Sequence, residues 1–274
     1  MRILALLLLL ILPLQMRAEA VRTDHLSSQL ISQSRTAVPG GLLMLGLRLQ
    51  HDDGWHTYWR NPGDSGLPTR ISLSLPAGAQ AGEILWPLPQ RVPLDAHLVN
   101  FGYKGTVVLP LLVQLPADLP AGQLNIEARA SWLVCREACI PGSASYQLGL
   151  PVATVAQADS RWQEEFALAA RRQPRQMPAG SQYQLDGEQI ILRMPRSLFP
   201  GNPSAWTFFP QTTEVVRNSQ LPQWRRQGSD WVAVIDRNEY FTRPPAQFDW
   251  LMVRGDEGVL VPARLLDSTQ HNKE

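Results

Sequence analysis

The hydrophobic and polar positions in the first half of the chain form the short blocks and alternations typical of β-strands. Leu42 to Leu49 is an apolar block, whereas Arg70 to Leu75 alternates as a strand that buries only one face. Further strands are predicted over Thr106 to Leu115, Gln123 to Val134 and Ser145 to Val152. Turn sequences separate them, among them Asn61-Pro62-Gly63-Asp64 and Pro120-Ala121-Gly122. Short strands at this spacing predict a β-sandwich.

A single helix is predicted to follow these strands. Ser160 is expected to cap the helix, with Gln163 three residues later as in a capping box. An apolar face at helical spacing is formed by Trp162, Phe166 and either Ala169 or Ala170. We expect this face to pack between two domains.

From Ser181 onward the pattern is again that of β-strands. Strands are predicted over Gln189 to Met194, Ala205 to Phe209, Trp231 to Ile235 and Phe248 to Val253. Hairpin turns are predicted at Gly228-Ser229 and Asp256-Glu257-Gly258. The expected fold is therefore all-β, with one β-sandwich, a connecting helix and a second, smaller β-sandwich. The predicted division is 21–153 for the first sandwich, 154–180 for the helix and linker, 181–267 for the second β domain and 268–274 for a polar tail.

The N-terminus has the features of a secretory signal peptide. Met1-Arg2 supplies a positive charge, Ile3 to Leu14 is an almost unbroken apolar run, and Ala18-Glu19-Ala20 fits an A-x-A cleavage site. The apolar run is too short to span a bilayer, which disfavours the alternative of an uncleaved anchor. We therefore assign residues 1–20 to a cleaved signal, and we expect the mature chain to be soluble and not to insert into a membrane.

The charge balance disfavours two classes of partner. The chain has 25 basic and 24 acidic residues, and loss of Arg2, Arg17 and Glu19 with the signal leaves 23 of each. A mature chain without net charge has no electrostatic basis for binding nucleic acid or anionic lipid. In contrast, its two cysteines would meet an oxidising compartment after export and can form one disulfide.

The candidate chemistry lies in Cys135 and Cys139, which three residues separate. In an extended strand, residues four apart lie about 13 Å from each other, whereas a disulfide needs Cα atoms within about 7 Å. The chain must therefore turn between the cysteines. A hairpin with Arg136-Glu137-Ala138 as its loop would place them opposite each other at bonding distance.

A purely structural disulfide is the competing interpretation. Closing so short a loop removes only about 2 kcal/mol of unfolded-chain entropy, against about 4.7 kcal/mol for a loop of about 100 residues. A sandwich of this size has enough core to fold without the bond, and exposed, strained disulfides are the more easily reduced ones. Redox use is therefore favoured. A zinc site would need further Cys or His ligands that are lacking nearby in the sequence, whereas two thiols alone can bind Cu(I).

Two aromatic-rich segments accompany the cysteines. The first contains Trp55-His56-Thr57-Tyr58-Trp59-Arg60-Asn61-Pro62-Gly63-Asp64-Ser65-Gly66-Leu67-Pro68, and the second contains Trp86-Pro87-Leu88-Pro89-Gln90-Arg91 followed by Asn100-Phe101-Gly102-Tyr103. Taken alone, Trp55 and Trp59 predict sandwich core, although a carbohydrate-binding surface using Trp55, Trp59 and Trp86 is an alternative. His51 and His56 are expected to be surface or packed residues rather than ligands.

These motifs, followed by Leu133-Val134-Cys135-Arg136-Glu137-Ala138-Cys139-Ile140-Pro141, resemble the N-terminal periplasmic domain of the DsbD/ScsB thiol:disulfide interchange family. The C-x3-C spacing resembles the ScsB-like branch in particular. The resemblance is specific for Trp55 to Pro141 and only general for the second domain. It implies an immunoglobulin-like sandwich, a periplasmic location, and a functional dithiol at Cys135 and Cys139 without a cofactor.

The resemblance also implies a route for electrons. In the family, a membrane domain reduces the N-terminal domain, which then reduces periplasmic thioredoxin-fold proteins. Phe101 and Tyr103 fall where the family has an aromatic cap loop over the cysteines, and Tyr58 and Trp59 would lie near the active site.

This chain ends at Glu274 without a transmembrane run or a C-x-x-C motif in its mature part, so we expect the membrane electron transporter to be a separate chain. The expected function is thiol-disulfide exchange as a component of a protein-disulfide reductase system. A Cu(I)-binding copper-tolerance protein that uses the same thiols is the alternative.

Overall fold

A computed structural model describes residues 19–266 as three β-sheets and one α-helix. Most of the predicted signal peptide and the whole predicted polar tail lie outside these residues. Among the described residues, no helix has the length and apolar character needed to cross a membrane. The strands of the first two sheets are β1 (Val21–Thr23), β2 (Leu26–Ser32), β3 (Leu42–His51), β4 (His56–Gly63), β5 (Arg70–Ser74), β6 (Gln80–Ile84), β7 (Gln90–Pro93), β8 (Val99–Lys104), β9 (Thr106–Gln114), β10 (Gln123–Cys135) and β11 (Cys139–Pro151).

The first two sheets form the immunoglobulin-like sandwich that was expected. One sheet has the order β1-β2-β3-β9-β6, and the other has the order β11-β10-β4-β8-β7, with β5 pairing with β10. Both sheets contribute to one buried core, for example Leu45 and Leu109 from the first and Ile126 and Trp132 from the second. Each fully buried aliphatic side chain contributes about 2 kcal/mol, so burial of this shared face holds the two sheets together.

The alternation along β10 decides where the cysteine pair lies. Its even-numbered residues from Leu124 to Val134 are buried in the core, whereas the odd-numbered residues from Asn125 to Ser131 are exposed. Because successive side chains of a strand point to opposite faces, Cys135 belongs to the outer face of the second sheet.

The rest of the chain forms a third sheet with a core of its own. Its strands are β12 (Arg175–Gln176), β13 (Ser181–Asp186), β14 (Gln189–Pro195), β15 (Thr207–Pro210), β16 (Arg225–Gln227), β17 (Asp230–Asp236), β18 (Gln247–Arg254) and β19 (Glu257–Leu265). The order is β15-β18-β19-β13-β14-β17-β16, with β12 pairing with β19. Tyr183, Phe248 and Trp250 lie at the centre of the third sheet's core. The predicted boundaries between domains stay predictions.

Three local expectations are wrong. The segment from Asn61 to Gly63 is not a turn but the end of β4, where the pairing with β8 shifts register in a bulge. The last hairpin turns at Gly255-Asp256, because β19 already begins at Glu257. A short 3-10 helix over Pro203–Ala205 precedes β15, which begins only at Thr207.

The helix also differs from the prediction at its start and in its packing. α1 (Gln163–Arg171) has Trp162 as its N-cap without a side-chain cap, so the predicted capping box at Ser160 is wrong. Phe166 and Ala169 are buried, but they pack on the outer face of the first sheet against Ile31 and Val108 rather than between two domains. Gly46 permits this approach, because a Cβ there would lie 3.2 Å from the Phe166 ring and 2.6 Å from Val108.

The third sheet packs against the sandwich beside β4, β7 and β8. The Phe209 ring contacts Trp59 and Phe101 edge to face, at centroid distances of 6.2 and 5.3 Å. The half-buried guanidinium of Arg91 in β7 donates hydrogen bonds to carbonyl oxygens of the third-sheet region, namely those of Phe208, Asn218 and Ser219. This interface is therefore both apolar and specifically hydrogen-bonded.

Candidate active site

The two cysteines close the tip of the β10–β11 hairpin. The strands pair in continuous register from Gln123 opposite Pro151 to Cys135 opposite Cys139. Arg136-Glu137-Ala138 forms the loop, the Cα atoms of the cysteines are 4.2 Å apart, and their sulfurs are bonded to each other. The hairpin predicted from the spacing of the cysteines is confirmed.

The two sulfurs differ in their access to solvent. Cys135 is only 2% exposed, because β4 continues the sheet beside it and places His56 directly opposite. Cys139 is exposed, since β11 forms the edge of the second sheet over the described residues. An external sulfur can therefore approach Cys139 and not Cys135.

Tyr58 of β4 is in direct contact with the disulfide. Its hydroxyl donates a hydrogen bond to Cys135 Sγ at 2.9 Å and lies 3.4 Å from Cys139 Sγ. The side-chain amide of Asn100 in β8 donates to the same hydroxyl at 3.3 Å. Burial raises the pKa of Tyr58, so the phenol keeps its proton at neutral pH and remains a donor toward sulfur.

A short loop after β4 covers the Tyr58 ring. The backbone N–H and the hydroxyl of Ser65 donate to Asn100 Oδ1 at 3.2 and 3.0 Å. Gly66 follows at φ +95°, so close that a Cβ at this position would lie 2.2 Å from Tyr58 Cζ. Glycine meets both demands, since it adopts positive φ readily and has no Cβ. We name the segment Asp64-Ser65-Gly66 the covering loop.

A buried histidine lies beside Cys135. His56 sits opposite Cys135, with its ring edge-on to that of Tyr58 at a centroid distance of 5.2 Å. Its Nε2 has no hydrogen-bond partner among the described residues. Burial lowers the pKa of His56 to about 4, with further lowering by the charges of Lys104 and His51. His56 is therefore a neutral imidazole at physiological pH.

His51 is the last residue of β3, and both of its ring nitrogens are hydrogen-bonded. Its ring nitrogens contact Gly105 O at 2.7 Å and Thr57 Oγ1 at 2.9 Å, and burial lowers its pKa to about 4. Both histidines are thus packed residues. Among the described residues, no group of three or more His, Cys, Asp or Glu side chains is arranged to hold a metal ion, so the Cu(I) alternative rests on the two thiols alone.

The structure places the other sequence-predicted site residues elsewhere. Phe101 and Tyr103 do not lie in a cap loop but in β8, which pairs with β4 and β7. Their side chains belong to the inner core, where Phe101 contacts Phe209 and the Tyr103 hydroxyl donates to Pro87 O at 2.7 Å. The expectation of an aromatic cap is corrected, because strand alternation turns both rings away from the outer face.

The tryptophans do not form a sugar-binding surface either. Trp59 is 2% exposed and, as the neighbour of Tyr58 in a strand, lies in the core on the opposite face from the disulfide. Trp55 is covered by the His25 ring, stacked at 3.8 Å, and Trp86 packs against the same core as Trp59. The structure therefore gives no support to the carbohydrate-binding alternative.

Sequence reasoning missed the covering loop, Asn100 and the position of His56. The signal was the dense motif from His56 to Gly66, of which the pattern assigned Asn61-Pro62-Gly63-Asp64 to a turn. Its members become neighbours of the disulfide only through the pairing of β4 with both β8 and β10.

Comparisons with known proteins agree with this architecture. Residues 27–151 match the family model described as "Thiol:disulfide interchange protein DsbD, N-terminal". The structure of the N-terminal periplasmic domain of ScsB from Proteus mirabilis is similar to this chain with a TM-score of 0.63 at 16% identity, over 90% of this chain and 96% of that one.

A second solved structure is much less similar to the chain. The GAE domain of yeast GGA1 has a TM-score of 0.27 at 10% identity, over 48% of this chain and 98% of that one. No curated protein sequence matches the chain. The similarity to the Proteus mirabilis structure covers both the sandwich and the third sheet, so the two parts share its overall fold.

Proposed function

We propose, from the premise that residues 27–151 form a DsbD/ScsB-like N-terminal domain, that this chain is a thiol-disulfide exchange protein that works through Cys135 and Cys139. The observation that carries the proposal is the asymmetric pair. One sulfur is exposed at a sheet edge, and the other is buried against a phenol donor. A structural disulfide needs neither feature.

The first half-reaction reduces the pair. A thiolate of a reduced donor protein attacks Cys139 Sγ, the disulfide breaks, and Cys135 leaves as a thiolate. The Tyr58 hydroxyl stabilises the leaving sulfur, because hydrogen bonds to ionised acceptors are the stronger ones. The second thiolate of the donor then attacks its own sulfur in the mixed disulfide and releases Cys139. Two electrons pass to the pair, the donor becomes a disulfide, and solvent supplies protons to the new thiolates.

The second half-reaction passes the electrons on. The Cys139 thiolate attacks the disulfide of an acceptor protein and forms a mixed disulfide, with loss of one acceptor thiolate. Cys135 then attacks Cys139 Sγ, which restores the intramolecular bond and releases the acceptor as a dithiol. Cys139 is the attacking residue in this scheme because it is exposed, and Cys135 is the resolving one.

The proposed route runs through the periplasm, which the chain would reach by a cleaved signal peptide. The donor is a membrane electron transporter on a separate chain, and the acceptors are periplasmic thioredoxin-fold proteins, so that the chain acts as a component of a protein-disulfide reductase system. This route is supported by the family of the domain and by the similarity to the Proteus mirabilis structure, which is that of a periplasmic domain.

Trapping in the native compartment tests the proposal. Cys135→Ser leaves an exposed thiol that forms mixed disulfides but cannot release them, so it is expected to accumulate thioredoxin-fold partners. Cys139→Ser leaves only the buried thiol and is expected to capture far less, and the double serine variant sets the background. Absence of partners on Cys135→Ser would contradict the proposal. Titration of the reduced protein with Cu(I) against a strong chelator tests the copper-tolerance alternative.

A further inference from the structure

A buried side chain of the third-sheet region contacts the covering loop directly. Asn218, which is 4% exposed, donates from Nδ2 to Asp64 Oδ1 at 2.8 Å. The backbone carbonyl oxygen of Asn218 accepts from Arg91 Nη2 at 2.7 Å. The connection between β15 and β16, which contains Asn218, is therefore also hydrogen-bonded to the sandwich. Nearby, Asn61 Nδ2 donates to Pro210 O at 2.7 Å.

Hydrogen bonds lead from the covering loop, in which Asp64 is followed by Ser65, to the sulfurs. The other carboxylate oxygen of Asp64 accepts from Val99 N at 2.7 Å, which anchors the loop to β8. The adjacent Ser65 holds Asn100, and Asn100 donates to the Tyr58 hydroxyl. That hydroxyl donates to Cys135 Sγ. Each link is a direct contact, and the last one touches a reacting atom.

We propose that Asn218 is a positioning residue for the redox pair. By holding Asp64, it keeps the covering loop on the Tyr58 ring, and thereby keeps the phenol hydroxyl directed at Cys135 Sγ. The third sheet thus supplies part of the active site without contacting the cysteines. The inference rests on the proposed function, because it takes Cys135 and Cys139 to be an exchange pair. Its test needs no protein partner, because the thiol-disulfide equilibrium of the pair is measured directly.

Because Asp64 carries a charge, loss of its hydrogen bond from Asn218 is expected to displace the covering loop. Asp64 is only half-buried and Ser65 is exposed, so the loop borders solvent. A carboxylate that loses a donor gains by moving toward water, because an unsatisfied buried acceptor is costly. Such a movement withdraws Ser65 and Gly66 from Asn100 and Tyr58. A contact that served only adhesion between the sheets would leave the disulfide unaffected.

The experiment equilibrates the full-length protein with glutathione redox buffers. Asn218→Ala is expected to shift the equilibrium about tenfold toward the disulfide, the size of one lost hydrogen bond to a thiolate. Asn218→Ser, which keeps a polar group too short to reach Asp64, is expected to act in the same direction and serves if the alanine variant folds poorly. The matched control is Gln220→Ala. Gln220 lies in the same connection and exchanges two hydrogen bonds with Asp236.

A double variant separates positioning from general destabilisation. If Asn218 acts through the phenol, Asn218→Ala adds no further shift in a Tyr58→Phe background. The inference is overturned by an unchanged equilibrium in both Asn218 variants, by an equal shift in Gln220→Ala, or by additive shifts in the double variant. Failure of the wild-type protein to exchange with any thioredoxin-fold protein would instead refute the proposed function, and it would leave the glutathione result standing.

Discussion

Removal of the Tyr58 hydroxyl perturbs a polar group that contacts both sulfurs. This hydroxyl donates to Cys135 Sγ at 2.9 Å, and burial raises the pKa of Tyr58 so that it stays a donor. A hydrogen bond to a charged acceptor contributes about 2 kcal/mol, whereas the neutral sulfur of a disulfide is a weak acceptor. A Cys135 thiolate, the form in which this sulfur leaves and attacks in the proposed exchange, would therefore gain more from Tyr58 than the oxidised pair does.

Tyr58→Phe is consequently expected to lower the reduction potential of the pair. About 2 kcal/mol corresponds to about 40 mV for a two-electron couple. Equilibration with glutathione buffers, read from the fraction of protein that resists alkylation, measures the shift. Tyr103→Phe is the matched control, because this buried tyrosine donates to Pro87 O on the inner face of the same sheet. Equal potentials for wild type and Tyr58→Phe, or an equal decrease in the control, would refute the reasoning.

Three further predictions follow from the same geometry. In the single serine variants, Cys139 should react with an uncharged alkylating agent much faster than Cys135, because only Cys139 is exposed; equal rates would remove the basis for assigning attack to Cys139. Gly66→Ala should lower the free energy of unfolding in urea by about 2 kcal/mol or more, since it combines positive φ with a clash on Tyr58. Gly105→Ala, at φ +66° with open space around it, should cost less, and a reversed order would contradict the packing described. The pKa values of His51 and His56, lowered to about 4 by burial, make the native state bind fewer protons than the unfolded chain between pH 6.5 and 4. Stability is therefore complete above pH 6.5 and falls as the pH decreases toward 4, by about 2 kcal/mol per histidine between pH 7 and 4.5. His56→Phe should reduce this pH dependence, and an unchanged dependence in this variant would contradict the assignment.

The strands with strong patterns could be predicted because local alternation and turn residues specify them. The hairpin at Cys135 and Cys139 belongs to this group, since a strand is predicted up to Val134 and an extended chain would keep the two sulfurs too far apart to bond. The helix is confirmed, but the predictions of its cap and of its packing are wrong. Ser160 fits the composition of a capping box, yet Phe166 docks beside Gly46 on the first sheet, and this tertiary contact decides where α1 runs.

Local sequence patterns were enough to predict that Cys135 and Cys139 meet at a hairpin tip. The exposure of Cys139, the contact of Tyr58 with Cys135 and the reach of Asn218 to the covering loop all depend on the tertiary structure. Strand neighbours such as β4 beside β10 are non-local, and a shift of one residue in their register would exchange the faces of Tyr58 and Trp59. Local pattern specifies each strand, but the surroundings of a sulfur depend on which strands lie beside it.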